Sequence, residues 1–250
     1  MKIILTGTTG FIGQEVLRRA LTHPSITSII VLSRRQLPSE APTSPKLKVM
    51  IHEDFGIYPD SLLTECAGAA ACIWFDHTPV RESVLSSADA AAARTLSPYK
   101  GHLDDAEYLQ RTEIGWPLAA VAFCAKLSPG KQFRFLFCSG MASETDQNKS
   151  LWFMQGTRRL RGILEIKLAE IAKERPDVFR AITVRPGFVL AKGASVMRTL
   201  GGFFPAAAIK VEVLAAAMVQ IAVDGSESQT VDNPDLKAQG QKLLEAKPEE

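Results

Sequence analysis

Three glycines at fixed spacing, Gly7, Gly10 and Gly13, follow directly on the apolar run that opens the chain, MKIILTGTTGFIG. A strand that ends in bare backbone and leads at once into a helix is the first βα unit of a parallel α/β sheet. Glycine at 7 permits the tight turn, glycine at 10 lets a ligand approach the main chain, and glycine at 13 lets the helix close on the strand. Such a turn aims backbone N–H groups and a helix N-terminus at one point, which suits a pyrophosphate. Thr8, Thr9, Phe11 and Ile12 fill the turn, so residues 7–13 form a candidate phosphate cradle. The spacing is GxxGxxG rather than the commoner GxGxxG, and alone it also fits a turn needed only for packing.

The rest of the chain repeats the same alternation. Strands are expected at Lys2–Leu5, Ser28–Arg35, within KLKVMIHED, and at Ala69–Phe75, Arg134–Gly140 and Arg180–Gly187. Helices are expected at Ile12–Leu21, Ser61–Cys66, Asp104–Leu127, Arg158–Lys173 and, last, Val211–Val223. The strands are continuously apolar, as they are when helices cover both faces of a sheet. The fold class is therefore α/β, a single doubly wound parallel sheet with right-handed crossovers. Residues 1–225 form one unit in which the irregular apolar stretch 188–210 covers the substrate, and 226–250 form a polar, partly loose tail. The loop QLPSEAPTSPK lies on the surface, and the long connection Ser86–His102 covers a pocket.

Composition narrows the partners. The 29 basic and 27 acidic residues leave a net charge of +2 with no basic run, so no general attraction to nucleic acid or anionic lipid is expected. No run of 18 apolar residues occurs, and the opening segment is needed as a strand rather than as a signal peptide. Cys66, Cys72, Cys124 and Cys138 lack CxxC spacing and read as reduced, buried residues, with no metal site. A soluble, cytoplasmic protein without membrane partner is the expectation.

The end of the second strand bears on the nucleotide. An NAD site places an acid there for the ribose hydroxyls, whereas this chain has Ser33-Arg34-Arg35. Guanidinium forks bind a 2′-phosphate that an acid would repel, so Ser33 and Arg34 point to NADP. The bland alternative is a pair of solvated arginines heading a loop. Together ILTGTTGFIG, VLSRR, HEDF, ACIW and RPGFVL resemble an atypical member of the short-chain dehydrogenase/reductase superfamily, related to extended epimerases and NmrA-like proteins. The resemblance runs from Met1 to about Asp224 and implies a Rossmann fold. It also implies that Asp54 and Phe55 lie near the adenine, that Phe75, Asp76, His77 and Thr78 pass the ribose and nicotinamide, and that Pro186 and Gly187 lie by the nicotinamide ring.

Reductases of that superfamily use a tyrosine, a lysine four residues later, and a serine at the end of the fifth strand. A phenol delivers the proton, the ammonium lowers its pKa and holds the ribose, and the serine polarises the substrate. Ser139 stands where the serine belongs. Tyr58, Tyr99 and Tyr108 are each followed four residues later by Leu62, Leu103 and Thr112, so no Tyr-x-x-x-Lys occurs. RGILE resembles the family's KGxxE, which puts Arg161 at the lysine position and Thr157 at the tyrosine position. Threonine is too weak an acid to replace a phenol, and arginine keeps its charge without releasing a proton.

Asp76 and His77 are the candidate replacements, an acid and an imidazole at the sheet's ligand edge; they equally fit a helix cap and a loop histidine. His52 and His102 have weaker claims. Arg158 and Arg159 either bind an acidic substrate or are solvated. The apolar segment Val196–Phe204 suits a hydrophobic small-molecule substrate, or else packs on the core or a second subunit. The helix Asp104–Leu127 is commonly a dimer surface in the superfamily, but Gly115-Trp116-Pro117 should kink it, so a homodimer stays open. The expectation is an NADP-dependent reductase-like enzyme of specialised metabolism with a non-standard proton relay. The alternatives are a non-redox isomerase or cyclase using the same pocket, and an NADP(H)-sensing regulator.

Overall fold

The computed structural model describes residues 1–75, 106–152, 155–193 and 205–246. A strand of four residues needs a partner on each edge, and β1 (Lys2–Leu5) has both. It pairs in parallel with β2 (Ser28–Ser33) and with β4 (Ala69–Trp74). Outside β2 lies β3 (Leu47–Ile51); outside β4 lie β5 (Phe133–Cys138), β6 (Phe179–Arg185) and finally β9 (Thr230–Asp232). The order is β3-β2-β1-β4-β5-β6-β9, and each neighbouring pair is parallel. This is the doubly wound Rossmann sheet. The chain reverses its direction of travel between β1 and β4, and a crevice for ligands opens outside the C-terminal ends of strands at such a point.

Alternation along the strands divides the core in two. Ile3, Leu5, Ile29, Val31 and Ile73 face α1 (Phe11–Thr22), α6 (Val211–Asp224) and α7 (Asn233–Glu245). Ile4, Ile30, Leu32, Cys72 and Trp74 face α2 (Asp60–Cys66), a broken helix, and α5 (Gln155–Glu174). The broken helix consists of α3 (Ala106–Gln110), one π-helical turn (Arg111–Gly115) and α4 (Trp116–Cys124). Pro117 lacks an N–H, and its ring crowds the carbonyl of Glu113. The preceding turn widens to relieve this, with the Trp116 N–H donating to Arg111 O five residues back. The expected kink is therefore a π turn, and it buries Thr112, Glu113 and Ile114.

The C-terminal third carries more regular structure than its sequence pattern announces. The stretch after Gly187 is not wholly irregular: β7 (Phe188–Leu190) and β8 (Ala208–Lys210) pair as a second small sheet. The tail is not loose through its length. β9 extends the main sheet beyond β6, and α7 packs on α6. The cause is visible in α6, which is buried almost all round, from Val211 to Ala222. A helix apolar on every side must be covered on both. α7 supplies the outer cover with Leu236, fully buried, and with Gly240, where a Cβ would stand 2.1 Å from Val213 O.

All four cysteines are buried and none is in a disulfide, and burial pushes the Cys66 thiol up to about 12. Among the described residues no helix is long and apolar enough to cross a membrane, and no cluster of metal-ligating side chains occurs. Asp76, His77, Thr78, Tyr99, His102, the connection Ser86–His102 and the cover Val196–Phe204 lie outside the described residues.

Candidate functional site

The cradle follows β1 at the switch point. Gly7 has φ of +59°, a left-handed conformation, and a Cβ there would lie 2.6 Å from Phe75 Cβ. Phe75 is held in that place because its N–H donates to Thr6 Oγ1 at 3.1 Å. The Gly10 N–H donates to Gly7 O at 3.0 Å and closes the turn. A Cβ at Gly13 would stand 2.2 Å from Gly7 O and 2.9 Å from Thr8 Cα, so the first helical turn sits directly on the loop. Gly10 caps α1 with extended backbone and no side-chain hydrogen bond, and the first turn carries no acid. Its leading N–H groups thus favour an anion. Thr8 is buried, yet its Oγ1 has no hydrogen-bond partner among the described residues. A buried hydroxyl left unpaired costs about 1–3 kcal/mol. An orphaned donor, uncapped amides and missing side chains in one turn fit a phosphate pair. Thr9 lends its carbonyl to the Gln14 amide at 3.2 Å, Phe11 sits exposed on the rim, and Ile12 packs on the core.

The ends of β2 and β3 differ from expectation. The Ser33 hydroxyl donates to Arg35 O at 2.7 Å and is buried, so it is turned back into its own loop and is not directed at a ligand. Arg34 lies over the Trp116 indole, with Cζ 5.7 Å from the ring centroid. Asp54 accepts from the Gly56 N–H at 2.8 Å and caps a turn. Phe55 is fully buried, its ring centroid 5.0 Å from His52, 5.6 Å from Trp74 and 5.9 Å from Trp116. Its side chain is core and has no surface to offer an adenine. Burial lowers the His52 pKa, which the nearby Asp54 only partly offsets. Tyr58 stacks on Phe123 at 4.4 Å, and burial drives its phenol well above the ordinary tyrosine value, which removes it as an acid.

At the end of β5 the structure adds groups that the sequence reading did not assign. Ser139 donates to Glu165 Oε1 at 2.5 Å, and Ser143 donates to the same oxygen at 2.7 Å. Glu165 Oε2 accepts from Arg185 Nε at 3.1 Å and from Arg185 Nη2. Glu165 and Ser139 are both buried, and the bond to Glu165 raises the Arg185 pKa against the opposing effect of burial. Glu165 is the glutamate of RGILE, so its signal was in the quoted motif. Arg161, one turn earlier, faces a second acid from the π turn: Nε lies 3.7 Å from Glu113 Oε2, whose side chain is 2% exposed. Thr157 is buried one turn before Arg161. Arg158 donates to Ala142 O at 2.5 Å and Arg159 to Lys149 O at 2.9 Å. Both reach backbone carbonyls of the β5–α5 loop with part of the guanidinium still exposed.

Pro186 and Gly187 follow β6 on the same sheet edge. The Met141 N–H donates to Pro186 O at 2.9 Å, which ties this corner to the loop after Ser139. Chemically, Arg161 and Arg185 are each matched by a buried carboxylate, and the Ser139 hydrogen is directed at Glu165. The serine therefore offers a substrate its lone pairs, not its proton.

Fold and cradle together define a doubly wound Rossmann-type α/β protein with a glycine-rich turn at its switch point. No family model matches the chain. A curated relative, leucinostatins biosynthesis cluster protein T of Purpureocillium lilacinum, is 40% identical over 80 residues, a match spanning 32% of this chain and 29% of that protein. Vestitone reductase from alfalfa is similar in structure, with a TM-score of 0.61 at 14% identity over 93% of this chain and 76% of that one. A short-chain dehydrogenase/reductase of Saccharomyces cerevisiae gives 0.60 at 14% identity over 95% and 98%. The Bordetella bronchiseptica enzyme WbmF in complex with NAD+ gives 0.60 at 12% identity over 98% and 77%. At these identities the likeness is one of fold.

Proposed function

We propose that this chain is an atypical short-chain dehydrogenase/reductase-like enzyme that binds NADP(H) and acts on a neutral, hydrophobic small molecule in specialised metabolism. The observation that carries the reading is the cradle: Gly7 and Gly13, which cannot hold side chains where they stand, with Gly10 between them and the orphaned hydroxyl of Thr8 beside them. It lies where the sheet reverses, and structures of this fold hold dinucleotides there. In this reading the turn and the start of α1 hold the pyrophosphate, Arg34 meets the adenosine ribose, and Arg161 stands toward the second ribose. The bound nicotinamide would supply or accept hydride. Arg34 is the group that favours NADP, since a guanidinium stacked on an indole keeps its donors at the edge of the plane.

The substrate class is argued from charge and from the rim. Arg161 and Arg185 are each balanced by a carboxylate, and Arg158 is engaged with a carbonyl, which speaks against an anionic substrate such as a sugar nucleotide. Met141, beside Gly187, is 51% exposed and apolar. The partial relative belongs by name to a biosynthesis cluster, which supports the metabolic setting. Without a tyrosine–lysine pair, and with Ser139 donating to Glu165, a carbonyl substrate would find no strong acid among the described residues. That favours substrates presenting a hydroxyl or amide hydrogen, and it keeps the isomerase or cyclase reading alive as the second one.

Calorimetric titration with NADPH and NADH tests the cofactor. NADPH should bind more tightly, and Arg34→Ala should reduce its affinity about 10- to 100-fold, the worth of a lost charge-assisted contact, while hardly moving NADH. Absence of heat with either cofactor overturns the nucleotide reading. With a candidate substrate and 4-deuterated NADPH, label in the product establishes reduction; unlabelled product with intact cofactor establishes the non-redox reading instead.

A further inference from the structure

We infer that Asn233, in the first turn of α7, is a positioning residue for the nicotinamide half of the dinucleotide, acting through the backbone of Gly187; this rests on the nucleotide reading above. β9 pairs with β6 in the register Thr183 with Thr230, Val184 with Val231 and Arg185 with Asp232. One step further along both strands, Asn233 comes beside the corner Pro186–Gly187. Its Oδ1 accepts from the Gly187 N–H at 2.8 Å and its Nδ2 donates to Ala206 O at 3.2 Å. One amide thus ties the corner after β6 to the turn Pro205–Ala207 that precedes β8.

The corner has little freedom of its own. A Cβ on Gly187 would stand 1.8 Å from Ala207 O, so the 206–207 backbone lies directly against it, and Pro186 O is already held by the Met141 N–H. Asn233 is 4% exposed. A buried amide is costly unless both its ends are satisfied, and an apolar residue would fill the space more cheaply. Only a side-chain amide sets an acceptor and a donor side by side on one rigid plane. Aspartate would face Ala206 O with a second acceptor, and serine cannot span both groups.

Its place in the sheet gives the amide its role. The two halves of a doubly wound sheet each take one nucleotide. The adenosine half belongs over β2 and β3, on the Arg34 side of the cradle, and the other half over β4, β5 and β6. The Pro186–Gly187 corner and Ser139 flank that second half from neighbouring strands. Loosening the corner should therefore cost contacts to the nicotinamide end and leave those to the adenosine end intact.

Two probes that differ only in nicotinamide separate the possibilities: NADP+ and 2′-phospho-ADP-ribose, titrated calorimetrically into wild type, Asn233→Ala and the milder Asn233→Ser. Wild type should bind NADP+ more tightly than the fragment. Each variant should lose about five- to tenfold in NADP+ affinity, with fragment affinity unchanged within about twofold. Leu236→Ala, which weakens the same helix without touching Gly187, should leave the ratio of the two affinities at its wild-type value; if Asn233→Ala fails to fold, Asn233→Ser carries the comparison. Equal weakening of both probes, an unchanged NADP+ affinity, or a Leu236→Ala ratio shifted as far as that of Asn233→Ala would assign Asn233 a purely structural role and overturn the inference. A wild type that binds neither probe overturns the nucleotide reading itself, and the inference with it.

Discussion

Glu165 is the most heavily committed charged side chain at the site, and removing it should be felt in stability before it is felt anywhere else. Its two oxygens accept from Ser139, from Ser143 and twice from Arg185. In Glu165→Ala the two hydroxyls lose their acceptor and Arg185 is left beside a cavity. Rupture of a fully buried pair costs about 3–5 kcal/mol. Here the Arg185 side chain is 25% exposed and can recover some hydration, and Ser143 is only half-buried. The expected loss is therefore about 3 kcal/mol, at the lower end of that range. Glu165→Gln keeps one acceptor oxygen for the serines but loses the charge and turns an NH2 donor toward Arg185, so its loss should be at least about 1.5 kcal/mol, one charge-assisted bond's worth, and below that of Glu165→Ala. With a urea slope of about 3 kcal/mol/M for a domain of this size, the midpoints should fall by about 1 M and by at least about 0.5 M. Urea unfolding followed by circular dichroism reads both. Loss of Arg185 together with Glu165 should recover part of the Glu165→Ala deficit, because the stranded charge is gone. If Glu165→Ala stays within about 0.5 kcal/mol of wild type at unchanged slope, the typical range for surface positions, the network is not holding the β5 and β6 ends together.

Two further perturbations follow from the packing. Gly162→Ala would drive a Cβ to 1.7 Å from Glu144 O, so it should destabilise by about 1–3 kcal/mol, as over-packing does, whereas Gly156→Ala on the same helix meets nothing within 4 Å and should be neutral or up to about 1 kcal/mol stabilising. Thermal melts of the two variants should move in opposite senses or differ by several degrees; matched melts would contradict the close approach of α5 to the 144–145 loop. His52 has its pKa lowered by burial, so below the free value of about 6.5 the unfolded chain takes up a proton that the native state refuses, and stability should decline as pH falls from there toward the depressed native pKa. His52→Leu should flatten that decline in a stability-versus-pH series; an unchanged slope would show the imidazole to be open to solvent.

What could be read from the residues was decided by how local each physical demand is. The cradle was legible because a left-handed turn at Gly7, and a helix packed so closely that a Cβ at Gly13 would stand 2.2 Å from Gly7 O, require glycine at those very positions. The central strands β1, β2 and β4 were legible because they are apolar on both faces, whereas β9, only Thr230–Asp232, carries no such signal. Ser33 was less legible, because a serine hydroxyl two residues from an available carbonyl satisfies its donor locally, here on Arg35. Phe55 followed the default of its residue type and joined the core. The acids that matter could not be found the same way. Glu113 meets Arg161 from 48 positions away in the chain, Glu165 meets Ser139 from 26, and Asn233 meets Gly187 from 46. A buried charge leaves no mark on its own neighbours in sequence, only on its partner in space. An arginine at the position of a missing lysine therefore reads as a free cation until its carboxylate is seen, and an apolar helix such as α6 reads as the end of the domain until its cover is. On the proposed function the proton chemistry would turn on the same distinction: Ser139 donates to Glu165, so the reaction class would follow from a contact made across the fold rather than from the serine's place after β5.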